Sequence, residues 1–263
     1  MALAVSAGCS VTAVHVDHGQ RPASSTEADL VEQYAAAVGA SFESARVDVA
    51  DGANLEARMR AARYEVLGMH AATGHTADDQ AETVLINLIR GAGLVGLGAM
   101  APGPRRPILA LRRTETEQVC KVLGWEPFSD PSNSDARFVR NRIRAEVLPL
   151  LGDVAGRDVI PLLVRSADHA RDAAGVLGEH ADQLDPTDAK AIAAAPRVLA
   201  ALAIQRWVRR ETGEEHPIDS ASAGRVLAVA RGESIAAEVT GGYRVSRSGQ
   251  RLSVMDVDES TSG

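Results

Sequence analysis

The sequence has few of the residues that mark metal clusters, disulfide frameworks and aromatic cores. Cys9 and Cys120 are the two cysteines among 263 residues, and they do not form a CxxC pair. This argues against a zinc ribbon, an iron–sulfur cluster or a disulfide scaffold and suits a reducing compartment. Aromatic residues make up 3% of the chain, so the core must be built from Ala, Val, Leu and Ile.

Long apolar runs and a net positive charge are also lacking. No stretch approaches the roughly 20 apolar residues of a membrane-spanning helix, and the apolar start at Met1 has no basic segment typical of a signal peptide. We therefore expect a cytoplasmic protein without a membrane partner. The net charge of −7 does not favour a nucleic-acid partner by bulk electrostatics, so RNA binding would require local basic surface.

The order of predicted elements divides the chain near residue 155. Strands and helices alternate before this point, which predicts an α/β fold with a Rossmann-like parallel sheet and flanking helices. After it, Ala-rich helices precede two strands, 235–239 and 243–255, that predict a C-terminal β-hairpin. The expected domains are residues 1–155 and 156–263. The predicted strands of the first domain are 11–16, 42–49 and 71–73, and its helices include 26–38, 54–68, 76–90 and a segment that starts near residue 136.

The segment 74–83 is the strongest candidate for chemistry. If Thr76 caps a helix, His75, Asp79 and Glu82 follow at i, i+4 and i+7 as one polar column. Such a column could hold a cationic amine, bind Mg²⁺ or accept a proton. An acidic first turn that stabilises the helix is an equal alternative. The apolar face expected to pack on the sheet contains Val84, Leu85, Leu88 and Ile89.

An arginine-rich helix is the second candidate site. Arg137, Arg140 and Arg144 stand at i, i+3 and i+7, and a column of guanidinium groups suits bidentate phosphate contacts. A solvated face paired with Asp135 and Glu146 is the alternative. The pattern therefore predicts either local phosphate-binding surface or ordinary helix stabilisation.

Two weaker signals lie outside these helices. His15, Asp17 and His18 follow a predicted strand, whose tip would overlook a nucleotide crevice. A simple turn explains them as well, and no fourth ligand indicates zinc. The second signal is on the predicted helix around Trp207. Its basic residues, which could contact an RNA backbone or be solvated, are Arg206, Arg209 and Arg210.

Six blocks of sequence, taken in order, resemble the tRNA(Ile)-lysidine synthetase family of PP-loop ATP pyrophosphatases. A single block would be weak, but six in the right order are specific, and they span roughly residues 10–150. The blocks are 15–22, 54–64, 74–83, 90–93, 106–108 and the segment 130–133 with 138–144.

The resemblance implies an ATP-dependent tRNA-modifying ligase. Members of the family attach L-lysine to C2 of the wobble cytidine in the CAU anticodon of tRNA(Ile). ATP first adenylates the C2 oxygen, and the lysine ε-amine then displaces AMP. The domain of residues 1–155 is then the catalytic domain. Residues 156–263 take the place of the tRNA-recognition domain, and Mg²⁺ and a homodimer are expected.

The resemblance also assigns roles to individual residues. Asp79 and Glu82 look like the carboxylates that hold the amine of lysine, and His75 looks like a polar group near the adenylate. Arg140 and Arg144 resemble residues that neutralise phosphate during adenylyl transfer. Arg137 and Arg142 are expected to contact tRNA, while the metal ligands stay unassigned.

The chain departs from the family pattern in two places. The family opens with a strand and a Ser-Gly-Gly-x-Asp-Ser loop that cradles the ATP pyrophosphate, whereas Met1 aligns with the helix after this loop. We expect a mis-assigned start or an incomplete gene, and an in-frame loop in the DNA upstream of the Met1 codon would identify the former. The segment between Tyr64 and Gly74 is also short.

Two other functions are compatible with the sequence. A related PP-loop enzyme that thiolates tRNA is one, although thiolation of cytidine generally uses cysteine pairs that Cys9 and Cys120 cannot supply. The other is an inactive or truncated module that keeps tRNA binding without ATP. The upstream reading frame and an activity assay discriminate between these alternatives.

Overall fold

The computed structural model describes residues 1–17, 24–47, 55–68, 71–127, 135, 137–214 and 218–257. These residues form two compact units. The first unit contains residues 1–82 and 100–160, and the second contains residues 83–99 and 161–263. The sequence-based boundary near residue 155 stays a prediction about folding domains.

The first unit opens with a parallel strand pair, β1 (Thr12–Asp17) and β2 (Ser41–Arg46). The two are in register from Thr12 opposite Ser41 to Asp17 opposite Arg46. Helix α2 (Ser24–Val38) makes the crossover that a parallel pair requires. The predicted parallel sheet with flanking helices is confirmed. The other helices of this part are α1 (Ala2–Ser6) and α3 (Leu55–Leu67).

The other described secondary-structure elements of the first unit are helices. Helix α4 (Ala77–Ile89) begins in the first unit and ends in the second, where the short α5 (Leu94–Leu97) follows. Helix α6 (Arg113–Leu123) returns to the first unit. A last helical run contains α7 (Val139–Arg142), a π-helical turn (Ile143–Val147) and α8 (Leu148–Ala155).

Two expectations about the chain around α4 are wrong. Residues 71–73 do not form a strand; instead, the Thr73 backbone N–H donates a hydrogen bond to the Arg105 carbonyl at 2.9 Å. On α4, Val84 and Leu85 are buried, but Leu88 is 56% exposed and Ile89 67% exposed. A helix buries an apolar stripe only where a neighbour covers it, and sequence periodicity does not indicate how far that cover extends.

The second unit has a core of small aliphatic side chains around Trp207, as the low aromatic content predicts. Its antiparallel sheet contains β3 (Ala236–Glu238), β4 (Tyr243–Ser248) and β5 (Arg251–Asp256), in that order. The predicted hairpin corresponds to β3 and β4, but the predicted strand 243–255 is wrong as one strand, because it turns at Gly249, where φ is +60°, and continues as β5. The helices are α9 (Ile160–Ala181), α10 (Ala189–Ala194), α11 (Arg197–Thr212) and α12 (Ser220–Arg231).

The described helices also bear on the membrane prediction. None of them combines the length and the apolar composition that crossing a bilayer requires.

Candidate active site

The first turn of α4 places Asp79 at the edge of the site. One oxygen of Asp79, Oδ2, accepts hydrogen bonds from the Thr76 backbone N–H at 2.9 Å and the Thr76 hydroxyl at 2.8 Å. Thr76 is the residue before the helix, so this carboxylate closes the start of α4 in the manner of a capping box. The other oxygen, Oδ1, lies 3.2 Å from Arg113 Nη2 and 3.6 Å from Arg144 Nη2.

Glu82 is a fully buried carboxylate surrounded by guanidinium groups. Its side chain is 0% exposed. Arg144 binds it in a bidentate manner, with Nε 2.7 Å from Oε1 and Nη2 3.1 Å from Oε2. Arg113 Nη2 lies 3.3 Å from Oε1, and Arg140 Nε lies 3.4 Å from Oε2. Burying a carboxylate without a partner is costly, so these arginines offset the cost of burying Glu82.

The helical run after residue 138 delivers two of these arginines. Arg140 lies on α7 and Arg144 in the π-helical turn, four residues later. A π turn is widened by i→i+5 hydrogen bonding and occurs often at functional sites. The hydrogen bond to Glu82 raises the pKa of Arg144 above its ordinary value. Both predicted residues therefore converge on the predicted carboxylate.

The expected column with Arg137 is wrong. Arg137 precedes the helix, which begins at Val139, so helical spacing does not carry its side chain to the same face. Its guanidinium instead pairs with Asp135, with Nη2 2.7 Å from Oδ2, and its side chain is 87% exposed. Arg142 pairs with Glu146 at 2.9 Å. The tRNA-binding role of Arg137 and Arg142 stays a prediction.

Asp78 joins α4 to the start of α6. Its Oδ2 accepts the Arg113 backbone N–H at 2.7 Å and lies 3.1 Å from Arg112 Nε. Arg112 also pairs with Asp158. Burial raises the pKa of the Asp78 carboxyl, but hydrogen bonds from the Arg112 guanidinium and the Arg113 N–H outweigh it, and the pKa lies below its ordinary value. Asp78 thus links three segments of the first unit.

Asp78→Asn is expected to lower the free energy of unfolding by about 1.5–3 kcal/mol at neutral pH, the size of a charge-assisted hydrogen bond. Folding lowers the pKa of Asp78. Its contribution to the free energy of unfolding is therefore present above the pKa of the unfolded state, about 3.9, and is lost as the pH falls through the pKa of the folded state. Urea unfolding at about pH 6 and about pH 3 should show the gap between parent and variant narrow at the lower pH. The control is Asp153→Asn on an exposed residue of α8; a gap that stays constant with pH would contradict the assignment.

A pocket of about 260 Å³ opens beside this cluster within the first unit. The charged residues that line it are Asp78, Glu82, Arg113, Arg144 and Asp158. The apolar residues that line it include Leu148, Pro149, Val159 and Ile160. The pocket therefore suits a ligand with a charged end and an aliphatic stem.

The predicted histidines are less closely tied to the cluster. His75 Nδ1 lies 2.7 Å from the Thr73 hydroxyl. His15 and Asp17 lie on β1, and His15 Nε2 is 3.9 Å from Glu27 Oε2. His18 lies outside the described residues. The nucleotide-binding role of this segment stays a prediction.

Arg206, Arg209 and Arg210 lie on α11, in the second unit. Arg206 pairs with Asp182 at 2.6 Å and donates to the Gly178 carbonyl at 3.0 Å. A Cβ at Gly178 would collide with this guanidinium, so Arg206 has a packing role that sequence reasoning missed. Arg210 is 70% exposed and Arg209 is exposed, so these two are the better candidates for RNA contact.

Sequence reasoning missed Arg112, Arg113 and Asp158 as members of the site. A signal for the first two does exist. Two arginines at the start of a helix oppose the helix dipole, which favours acidic groups there. Such a placement indicates that nearby carboxylates, here Asp78, Asp79 and Glu82, compensate the charge.

Comparison with known proteins first defines the class. Residues 1–151 match the family model of the PP-loop domain, an ATP-binding class, and this range contains the whole cluster around Glu82. Among solved structures, the U34-tRNA thiolase NcsA from Methanococcus maripaludis, described with its [4Fe-4S] cluster, aligns with a TM-score of 0.50 at 16% identity over 61% of each chain. At that identity the likeness shows the fold alone.

Sequence relatives then identify the family. The chain is 39% identical to the tRNA(Ile)-lysidine synthase of Nocardia farcinica over 83% of its own length and 73% of the relative. It is 45% identical to that of Rhodococcus jostii over 64% of its length and 54% of the relative. For Mycobacterium leprae the identity is 37%, over 76% and 68%. The chain belongs to the tRNA(Ile)-lysidine synthase family, as the six blocks predicted. It spans between about half and three quarters of these relatives.

Proposed function

We propose that this chain ligates L-lysine to C2 of the wobble cytidine of tRNA(Ile) with a CAU anticodon. The observation that carries the proposal is the buried carboxylate–guanidinium cluster beside a pocket lined by both charged and apolar residues. Lysine has the matching form, an ammonium on a stem of four methylenes. The reaction is inferred from family membership. The cluster contains carboxylates suited to the ammonium of lysine and guanidinium groups suited to the phosphates of ATP.

The reaction has two steps, each with a distinct need. The C2 oxygen of cytidine attacks the α-phosphorus of ATP, and the bond to pyrophosphate breaks. The lysine ε-amine then attacks C2, the C2–O bond breaks with AMP as leaving group, and the ammonium loses its protons. Arg140 and Arg144 would neutralise charge developing on phosphate. Asp79 and Glu82 would attract and orient the ammonium, with His75 as a nearby polar group.

Magnesium enters this proposal with ATP rather than as a resident ion. In the described part of the chain, no group of three His, Cys, Asp or Glu side chains is placed to hold a metal. Asp78, Asp79 and Glu82 are instead engaged by guanidinium groups, which does not fit a resident Mg²⁺ site. Mg²⁺ commonly binds substrate phosphates with few protein ligands. A homodimer stays a prediction.

The test is transfer of radiolabelled lysine to a tRNA(Ile) transcript with a CAU anticodon, with ATP and Mg²⁺ present. Incorporation should depend on ATP and should disappear when the wobble cytidine is replaced by uridine. Transcript binding without adenylate or lysine product would favour the tRNA-binding alternative. Sulfur incorporation in place of lysine would favour the thiolating enzyme, although Cys9 and Cys120 form no disulfide and supply few ligands for a cluster.

The prediction for the second unit is that Arg209→Gln and Arg210→Gln each weaken tRNA binding and lower its salt dependence. Loss of one phosphate contact should reduce the slope of log K against log salt by about 1. Filter binding at several salt concentrations measures this. The control is Arg197→Gln at the opposite end of α11, also exposed. Unchanged slopes for both variants would indicate that these arginines are merely solvated.

A further inference from the structure

The carboxylates that should hold an amine are already occupied by cations from the chain itself. Asp79 and Glu82 stand against the guanidinium groups of Arg113, Arg140 and Arg144. Asp78 stands against that of Arg112, which also pairs with Asp158. These four carboxylates and four guanidinium groups are together close to neutral. Glu82 is 0% exposed, whereas Arg113 and Arg144 are about one-third exposed, so the guanidinium groups are more accessible to a ligand than this carboxylate. An arriving ammonium would therefore gain little attraction and would face repulsion from the nearest arginines.

Arg113 differs from the other two arginines in how it holds the carboxylates. A single nitrogen, Nη2, bridges Asp79 Oδ1 at 3.2 Å and Glu82 Oε1 at 3.3 Å. This is the position that one ammonium nitrogen shared by both carboxylates would take. Arg144, by contrast, grips Glu82 with two nitrogens, the closer at 2.7 Å. Long single-nitrogen contacts are weaker than a bidentate pair, so Arg113 is the easier to displace.

The backbone of Arg113 is fixed while its side chain reaches the pocket. Its N–H is held by Asp78 at 2.7 Å at the start of α6. The side chain is 30% exposed and lines the pocket. Rotation of the side chain alone can thus withdraw the guanidinium without disturbing the helix, and a phosphate group entering the pocket offers it a new partner.

We propose that Arg113 closes the amine site as a stand-in cation, and that a phosphate group of the nucleotide opens the site by drawing Arg113 away. Lysine then binds well only after the nucleotide. This inference rests on the proposed lysine-ligating function. It assigns Arg113 as a positioning residue that couples the two substrates. When the Arg113 guanidinium moves away, the carboxylates lose one positive charge, and the ammonium of lysine replaces it.

The experiment is calorimetric titration of the full chain with L-lysine, without tRNA. Arg113→Gln should bind lysine at least tenfold more tightly than the parent and bind the α,β-methylene analogue of ATP more weakly. Loss of a merely structural residue would weaken both. Arg113→Lys, which keeps the charge, should stay near the parent, as should Arg197→Gln on the exposed start of α11. L-norleucine, which lacks the ε-amine, should gain nothing from Arg113→Gln.

Equal or weaker lysine binding by a folded Arg113→Gln variant overturns the inference. If the variant does not fold, lysine binding by the parent is measured with and without the nucleotide analogue. The bound analogue should tighten lysine binding at least fivefold, and an unchanged affinity overturns the inference. Lysine transfer to tRNA by the parent is measured in parallel. Transfer without the predicted affinity changes refutes only the role of Arg113, whereas absence of transfer refutes the proposed function.

Discussion

Glu82→Gln is expected to reduce lysine transfer to tRNA by roughly ten- to a hundredfold, because the neutral amide still accepts a hydrogen bond from the ammonium but no longer attracts its charge, and a hydrogen bond to a charged group contributes roughly 1.5–3 kcal/mol. Glutamine keeps the shape of the side chain, so the loss reports charge rather than volume. ATP-dependent adenylation should persist in part, since Arg140 and Arg144 remain. Separate assays of adenylate formation and lysine incorporation measure the two steps.

The same substitution should also lower stability. Removing one partner of a buried ion pair costs about 3–5 kcal/mol, and since Arg113, Arg140 and Arg144 are about one-third exposed, solvent screening should reduce this to about 2 kcal/mol. Urea unfolding measures the change, and assays must use conditions where the variant is folded. Glu117→Gln, an exposed glutamate on α6, is the matched control. Normal lysine transfer by folded Glu82→Gln would refute the role of Glu82.

The sequence predicted the helices and the acidic end of the site well. Thr76, Asp79 and Glu82 lie within one helical segment, and short-range spacing determines where their side chains point. The parallel strand pair and α2 likewise follow from local alternation and periodicity. The order of the six blocks added the family, which spacing alone could not identify.

The ion pairs of the site could not be predicted from the sequence, because they join segments that are far apart in the chain. Glu82 and Arg144 are 62 positions apart, and Arg112 and Asp158 are 46 apart. Arg137 shows a second limit. The predicted helix started near residue 136, about three residues before its true start at Val139, and so placed Arg137 on a face that it does not share. Charged residues at helical spacing look the same in sequence whether they face solvent or pair with distant segments. Only the tertiary structure shows that the carboxylates and guanidinium groups of this site neutralise one another.

Arg144→Met is expected to destabilise the chain by about 2 kcal/mol and to reduce lysine transfer by more than tenfold, since it leaves buried Glu82 without its bidentate partner. Arg113 and Arg140 remain at 3.3 and 3.4 Å, which keeps the loss below that of an isolated buried charge. Thermal or urea unfolding gives the stability change. Arg197→Met on the exposed start of α11 controls for loss of a surface arginine.

The double variant Glu82→Gln/Arg144→Met separates the structural contribution of this pair from its chemical contribution. Removing both charges leaves neither buried carboxylate nor excess guanidinium, so the combined stability loss should be smaller than the sum of the two single losses by about 1–2 kcal/mol. Lysine transfer should stay as low as in Glu82→Gln, because the double variant recovers part of the stability but still lacks the carboxylate that binds the ammonium. Additive stability losses would show that the two groups act independently, and recovered transfer would show that the pair serves folding alone.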